Sequence, residues 1–295
     1  MKKIILTILL GMTGAVGASP LAQVHQLQQP TWFERDGVRQ PLEAATQLRS
    51  GDRLQTGPKG KLLLKFAEGS DVEVGSGARI RLSELTLEPD ATNAGSSLFR
   101  SALDVLRGAF RFTTRAAGIG RARSVDIAVG EMATIGIRGT DVWGKADPAG
   151  DFVVLIEGEI AVIREGEARL IMDKPQTIYR APDAAVSPSV DAVDPADLQR
   201  WAQETALDAG KGIISQTGAY TVSLASMRRS EFAEELLSEL RLQGYMARLQ
   251  EVELDGRKWR RVVVPGFISR ADADYFAAEI ARIFTRLTPW VFTTQ

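Results

Sequence analysis

Short apolar or alternating runs, broken by Gly, Asp and Pro, fill the chain from about Val24 to Tyr179. Successive side chains of a strand point to opposite faces, so a period of two indicates half-buried strands. Clear examples are residues 61–66, 71–74, 78–82 and 152–156, separated by glycine-containing turns. Many short strands of this kind favour an all-β roll or sandwich. Residues 88–97 are predicted to form a polar loop, and residues 98–106 a short helix or an irregular segment.

The composition changes at about residues 180–217, where several prolines indicate a linker. Asp194 is suited to cap a helix that begins at Pro195, because the first helical N–H needs no partner and proline has none to offer. We expect this helix to end at about Ala209, before Gly210.

From Tyr220 onward the pattern alternates between strand and helix periods. A hairpin turn is predicted at Asp255-Gly256. The predicted elements are strand 220–226, helix 230–242, strand 245–254, strand 258–264, helix 269–284 and strand 290–293. The apolar positions of the first of these helices are Phe232, Leu236, Leu237 and Leu240. This βαββαβ order is the split ferredoxin-like arrangement, an α+β fold in which the first and third strands are central neighbours.

The N-terminus has the layout of a secretory signal peptide. A basic start at residues 1–3 precedes an apolar run from Ile4 to Leu10, and small residues allow cleavage after Ala18. Cleavage after Ala22 is one alternative. An uncleaved membrane anchor is another, although a spanning helix needs about 20 strongly apolar residues. We therefore expect a periplasmic protein with no transmembrane anchor in the mature chain.

Composition excludes several classes of site. The formal net charge is −1, so nothing global attracts the protein to nucleic acid or anionic lipid. The chain has no cysteine, which excludes disulfides, a thiol nucleophile, thiolate zinc sites and a lipidated N-terminal cysteine. Hydrophobic residues make up 44% of the chain, enough for a substantial core.

The last quarter of the chain resembles the SPOR domain, the sporulation-related repeat of bacterial division and cell-wall proteins. Residues 220–226 are similar to the family's opening Y-x-V-Q-L-x-S, and residues 261–267 to its R-V-x-v-G-P-F. Ser223 stands where many members have Gln, and Pro265-Gly266 inverts the usual Gly-Pro. The resemblance implies binding of septal peptidoglycan, typically of glycan strands stripped of their stem peptides.

Strand alternation predicts where such a ligand would bind. One face of the predicted sheet lies under the helices and holds Tyr220, Val222, Leu224, Val262 and Val264. The opposite face is predicted to display Thr221, Ser223, Ala225, Trp259, Arg261 and Val263. Sugars need an apolar ring surface and hydrogen-bonding groups, and Arg261 could pair with the lactyl carboxylates of a denuded glycan. The predicted peptidoglycan-binding residues are Thr221, Ser223, Ser226, Trp259, Arg261 and Val263.

Two other interpretations of this face remain open. In the first interpretation, Trp259 and Arg261 are ordinary solvent-facing strand residues. In the second the sheet binds RNA, since RNA-binding modules share the topology and stack bases on sheet aromatics. The predicted sheet has no run of such aromatics, and export would separate the protein from RNA, so no nucleic-acid partner is expected.

The β-rich region resembles the FecR domain family over about residues 38–163. Residues 132–142 are similar to the family's A-x-x-x-I-R-G-T core, with further matching segments at 48–57, 69–74, 106–110 and 154–160. The family is best known from envelope proteins that sense a receptor and regulate a sigma factor across the membrane. We do not expect that role, because it requires a cytoplasmic segment and an internal transmembrane helix. The resemblance implies a β-rich periplasmic interaction or scaffold module.

Residues 138–141 of that core permit two interpretations. Gly139 allows a tight bend fixed by an Arg138–Asp141 pair, or Arg138 and Thr140 form an exposed recognition edge. Asp52 and Asp71 lie beside Gly or Ser, which favours a role in turns over one in acid catalysis.

A catalytic role is not predicted. The only histidine is His25, expected in a mobile terminus, so no metal cluster or Ser-His-Asp set can be built around it. Gly118-Ile119-Gly120 lacks the third glycine of a dinucleotide motif. Paired carboxylates remain open, but no segment outside the two resemblances could house a hydrolase. No cofactor or metal is expected.

The predicted organisation is multidomain: signal peptide 1–18, FecR-like β domain 24–180, linker with one helix 181–217 and SPOR-like domain 218–295. The predicted function is non-catalytic binding of peptidoglycan glycan strands, with enrichment at the division septum and a possible envelope partner for the FecR-like domain. The alternative is a periplasmic signalling adaptor, in which the FecR-like domain binds a protein and the SPOR-like domain only tethers it to the wall.

Overall fold

The computed structural model describes residues 20–90, 96–114, 122–130, 133–137, 140–148, 150–164, 167–181 and 189–293. The predicted signal peptide, Arg138 and Gly139 lie outside these residues. Within these ranges, no helix combines the length and the apolar composition needed to cross a membrane.

The region before the first helix is built from strands. In the described part of the chain they are β1 (Ala22–Gln28), β2 (Thr31–Arg35), β3 (Val38–Pro41), β4 (Gln47–Leu48), β5 (Arg53–Thr56), β6 (Lys61–Phe66), β7 (Ser70–Val74), β8 (Arg79–Pro89), β9 (Ser97–Thr114), β10 (Ala122–Val129), β11 (Ala133–Ile137), β12 (Asp141–Ala146), β13 (Asp151–Glu157), β14 (Ile160–Ile163), β15 (Leu170–Met172), β16 (Thr177–Ala181) and β17 (Ser189–Ala192).

The remainder mixes helices and strands. Its elements are α1 (Pro195–Thr205), β18 (Ile213–Ser215), β19 (Tyr220–Met227), α2 (Ser230–Leu242), β20 (Arg248–Leu254), β21 (Arg257–Phe267), α3 (Arg270–Ile283) and β22 (Trp290–Thr293).

Two ladders of strands form the β-rich region, and β9 belongs to both. One ladder runs β1-β6-β7-β9-β12-β13-β16-β17, and the other runs β3-β2-β5-β8-β9-β10-β11-β14-β15. Their apolar faces contribute to one buried cluster. Gly108 marks the change of ladder in β9, with φ 88° and no room for a Cβ, which would lie 2.6 Å from the Ala78 Cα.

The expectation of a helix or irregular segment at residues 98–106 is wrong, since these residues belong to β9. Phe99, Ser101, Leu103 and Val105 are buried while their neighbours are not, which is the period of a strand. Small and polar residues between the apolar ones hid this alternation. Part of the predicted polar loop at 88–97 also belongs to strands, because β8 ends at Pro89 and β9 begins at Ser97.

The segment predicted as a linker contains two strands as well as its helix. Asp194 caps α1 by accepting a hydrogen bond from the Ala196 N–H, as predicted. The helix ends earlier than expected, at Thr205, where the Lys61 ammonium donates to the carbonyls of Gln203 and Ala206. Downstream, β18 pairs with β1 on one side and with β21 on the other, so the two parts of the molecule share a sheet.

His25 and Asp52 both lie in ordered parts of the β-rich region. His25 lies in β1 at a register shift, not in a mobile terminus. Asp52 is buried, accepts two 2.7 Å hydrogen bonds from Arg35 and one from the Arg49 N–H, and so holds a turn as predicted.

Asp71 lies inside β7 and not in a turn. At the Arg-Gly-Thr-Asp segment, Asp141 is paired with Arg111 at 2.6 Å. Thr140 is 4% exposed, so it does not form part of an exposed recognition edge.

Candidate functional site

The C-terminal sheet has the strand order β20-β21-β19-β22, all antiparallel. The first and third strands of this unit, β19 and β21, are therefore central neighbours. One face is covered by α2 and α3 and is wholly apolar in the middle: the side chains of Val222, Leu224, Val262 and Val264 are 0% exposed. The other face is called the open face below, and both helices of this unit lie on the side opposite to it.

A β-bulge in β19 decides which residues reach the open face. Ser223 is opposite Val263 and Ala225 is opposite Val262, so Leu224 has no partner in the β21 ladder. The extra residue reverses the alternation. Ala225 therefore packs toward the helix-side core, and its predicted place on the open face is wrong. Ser226 lies on the open face, directly opposite Arg261.

Three of the predicted binding residues form the floor of the open face. Thr221 is 3% exposed, Ser223 0% and Val263 6%. Since Ser223 lies between Val263 on β21 and Trp290 on β22, it occupies the middle of the sheet. The Ser223 hydroxyl has no hydrogen-bond partner among the residues described. In this conformation these three side chains support the surface and do not form it.

The surface itself is made by Arg261, Trp290 and Phe292. The two rings lie 4.9 Å apart, centroid to centroid. The Arg261 guanidinium carbon lies 5.0 Å from the Trp290 centroid and 5.6 Å from the Phe292 centroid. Because β19 separates β21 from β22, the arginine side chain must cross the central strand to reach the rings. Trp290 is nevertheless 46% exposed.

The chemistry of this surface suits a ligand with both rings and carboxylates. An exposed indole offers an apolar plane, and the arginine offers a fork of N–H donors held by cation–π contact. The Arg261 Nε is buried and has no hydrogen-bond partner among the described residues. Ser226 is exposed beside it, and Trp259 lies further along β21, opposite Val252 on β20.

Trp290 and Phe292 were not among the predicted site residues, although residues 290–293 were predicted as a strand. Strand alternation around Val291 could have indicated their place, because Val291 packs toward the core and leaves both rings on the other face. The predicted topology did not give the register of β22 against β19. In the structure Trp290 is opposite Ser223 and Phe292 is opposite Thr221.

A cavity lies away from the open face, and no metal site accompanies it among the described residues. In the described ranges, no group of three His, Asp or Glu side chains is arranged to hold a metal ion. A cavity of about 660 Å³ lies on the helix side, between α3 and the loops of the β-rich region, lined among others by Gln29, Lys59, Tyr275 and Glu279. It does not include any residue of the open face.

Residues 216–293 match the family model of the SPOR domain. SPOR domains bind and do not catalyse, and the match implies peptidoglycan binding. No curated protein matches the chain.

Among solved structures, two crystal structures of a "putative anti-sigma factor" from Parabacteroides distasonis, at 1.65 and 2.50 Å resolution, are similar in part. In each comparison the identity is 12%, the match covers 82% of this chain and 99% of the other, and the TM-score is 0.39. That score is too low to establish a shared fold.

Proposed function

We propose that this protein is a periplasmic, non-catalytic binder of peptidoglycan glycan strands, that it prefers strands denuded of stem peptides, and that it is enriched at the septum. The observation that carries the proposal is the half-exposed Trp290 ring with Arg261 held beside it on the open face of the SPOR sheet. A sugar ring can lie on the indole while a lactyl carboxylate pairs with the guanidinium. Ser226 on β19 and Trp259 on β21 extend the surface, and the floor residues lie beneath it.

The N-terminal part of the proposal concerns export. Ala22 is fully buried and pairs with Leu48 and Phe66, and the Leu21 carbonyl accepts a hydrogen bond from the Ala67 N–H. Cleavage after Ala22 would remove these contacts, whereas cleavage after Ala18 would keep them. We therefore favour cleavage after Ala18. The β-rich region, which resembles the FecR domain, would act as an interaction or scaffold module for another envelope component.

The test is co-sedimentation of the chain from residue 19 onward with purified sacculi, before and after amidase treatment. The whole chain is used because β18 pairs with β1, and a fragment that starts at β18 would lose that strand neighbour. Wild type should pellet, and more strongly after amidase treatment. Trp290→Ala and Arg261→Gln should each weaken binding by about tenfold, the effect of losing one stacking or charge-assisted contact.

Ile283→Ala is the matched control, because Ile283 is a large apolar side chain that is 54% exposed but lies on α3. It should bind like wild type. If wild type stays in solution with both kinds of sacculi, or if the control loses as much binding as Trp290→Ala, the open face is not a glycan site.

A further inference from the structure

A notch opens at one end of the open face, where β19 stops before its neighbour does. Met227, the last residue of β19, is opposite Arg260, while β21 extends to Arg257 and pairs there with β20 only. Residues 257–259 therefore have a strand neighbour on one side alone. Four cations line this notch: Arg228, Arg229, Arg257 and Lys258.

All four of these side chains are exposed, and none forms an ion pair with another described residue. The Arg229 guanidinium carbon lies 5.7 Å from the centroid of the Phe232 ring. Four like charges that line one depression repel each other and make its centre positive. The same corner holds the first turn of α2, whose N-cap is Arg229 and has no side-chain hydrogen bond, so free backbone N–H groups add to the positive potential.

The notch continues the surface described above. Arg257, Trp259 and Arg261 share one face of β21 by alternation. Arg228 is the first residue after β19 and lines the notch with Arg257. Arg257 lies about 13 Å along the strand from Arg261 at the usual rise per residue. A chain ligand that starts on Trp290 and passes Arg261 would therefore reach the notch.

The surroundings favour a discrete anionic group over a membrane surface. Glu231, Glu253 and Asp255 are exposed around the notch, and Glu253 is directly opposite Lys258. These carboxylates make the corner nearly neutral as a whole, which gives little attraction to an anionic bilayer. They leave a small positive centre that one carboxylate can enter.

We infer that the notch is a second anion subsite, which binds a carboxylate of the same peptidoglycan strand that lies on the open face. This inference rests on the proposed function and extends it: the ligand is a polyanionic glycan read at two separated carboxylates, one at Arg261 and one at the notch.

The experiment compares the full chain from residue 19 with Arg228→Gln/Arg257→Gln and with the charge-matched control Arg81→Gln/Arg107→Gln, whose arginines are exposed on the β-rich region. The probes are amidase-treated sacculi, the same sacculi with carboxyl groups converted to amides by carbodiimide and ammonia, and phosphatidylglycerol vesicles. We expect the notch variant to bind the treated sacculi about fivefold more weakly than wild type, as expected for two exposed charge contacts. The control should match wild type, and the difference should disappear on the amidated sacculi.

Equal binding by the notch variant and wild type overturns the inference, and so does a difference that persists after amidation. Loss of vesicle binding alone would assign the notch to lipid and overturn it as well. Trp290→Ala separates the two proposals, because it should weaken binding to both kinds of sacculi. If Trp290→Ala weakens binding and the notch variant does not, only the second subsite is wrong. If no protein binds any sacculus, both proposals fall.

Discussion

Two aromatic clusters of similar composition lie in the two parts of this molecule and have opposite surroundings. In the first cluster, Trp143 of the β-rich region and Trp201 of α1 stack at 5.4 Å and 17°, and Arg200 lies 5.9 Å from the Trp201 ring. In the SPOR sheet Trp290 and Phe292 lie 4.9 Å apart beneath Arg261. Trp143 is 1% exposed and Trp201 8%, whereas Trp290 is 46% exposed.

The difference shows that residue types alone do not identify a binding surface. The first cluster joins α1 to the outer side of β12, β13 and β16, where Ala109, Val154 and Ile178 complete a small second core. Its rings contact protein on nearly all sides, so their burial contributes to folding. The second cluster leaves nearly half of the Trp290 side chain uncovered next to the Arg261 guanidinium, so this indole surface is accessible to a ligand.

The largest expected effect is on the free energy of unfolding, which should depend strongly on the buried cluster and weakly on the exposed one. Trp143→Ala should lower the free energy of unfolding by about 3–5 kcal/mol, because it removes a buried ring and leaves a cavity beside Trp201. Denaturant unfolding measures this. Glycan binding by the molecules that remain folded should not change.

Trp290→Ala is the matched comparison and should change the free energy of unfolding by less than about 1 kcal/mol, since much of its ring is already exposed. A large loss of stability in Trp290→Ala, or normal stability in Trp143→Ala, would mean that exposure does not distinguish the two clusters.

A second prediction concerns the junction between the two regions. Asp272 on α3 is 1% exposed and accepts hydrogen bonds from the Gly212 and Ile213 N–H groups at 3.0 and 2.9 Å, which positions β18. Asp272→Ala should lower the free energy of unfolding by about 2–3 kcal/mol, because two buried donors lose their acceptor. Hydrogen exchange at residues 212 and 213 should become faster.

Asp274→Ala is its control, since Asp274 lies on the same helix, is exposed and pairs with Arg270. It should cost less than about 1 kcal/mol. Equal effects of the two substitutions would show that the buried carboxylate does not fix the junction.

Much of the C-terminal fold could be predicted because its signals are local. The bounds of α2 follow from its helical period, and the Asp255-Gly256 turn has positive φ at both residues, as a type I′ hairpin requires. Ser269 caps α3 through the Asp272 N–H. Phe232, one of the apolar positions that indicated α2, is 52% exposed, whereas its neighbour Ala233 is buried.

The candidate site was less predictable because it depends on register and on distant pairing. The bulge at Leu224 lies within a regularly alternating sequence, so no local pattern predicts it. The position of Trp290 depends on β22 pairing with β19, a contact between residues that are far apart in the chain. The role of β18 depends on two such pairings at once, with β1 and β21, and a three-residue strand carries no pattern of its own.

A third and smaller effect tests the floor of the open face. Ser223 stands where the resemblance to the SPOR pattern predicts Gln, and it is completely buried in the middle of the sheet. Ser223→Gln should therefore weaken glycan binding and lower the free energy of unfolding by about 1–2 kcal/mol, because the longer side chain must displace Arg261 or Trp290. Sedimentation with sacculi and denaturant unfolding measure the two effects. Ser226→Gln, at an exposed position of the same strand, should do neither; tighter binding by Ser223→Gln would show that the floor is itself a contact surface.

The smallest expected effect concerns a buried carboxyl group in the β-rich region, away from the open face. Glu68 is 2% exposed, and burial raises its pKa above the usual 4.5, an effect that Ser70 and Arg123 offset only in part. The folded state thus holds this proton more tightly than the unfolded state. Stability contributed by the neutral form is lost as pH rises from about 4.5 through the raised pKa.

Glu68→Gln cannot ionise, so its free energy of unfolding should rise relative to wild type over that pH interval and stay higher above it. Unfolding curves at several pH values measure the difference. Glu235→Gln, at an exposed position on α2, should show no such trend. Neither substitution should alter glycan binding, because neither residue lies on the open face or lines the notch. If the free energy of unfolding of Glu68→Gln instead falls relative to wild type as pH rises, the folded protein stabilises the charged carboxylate, contrary to the effect of burial.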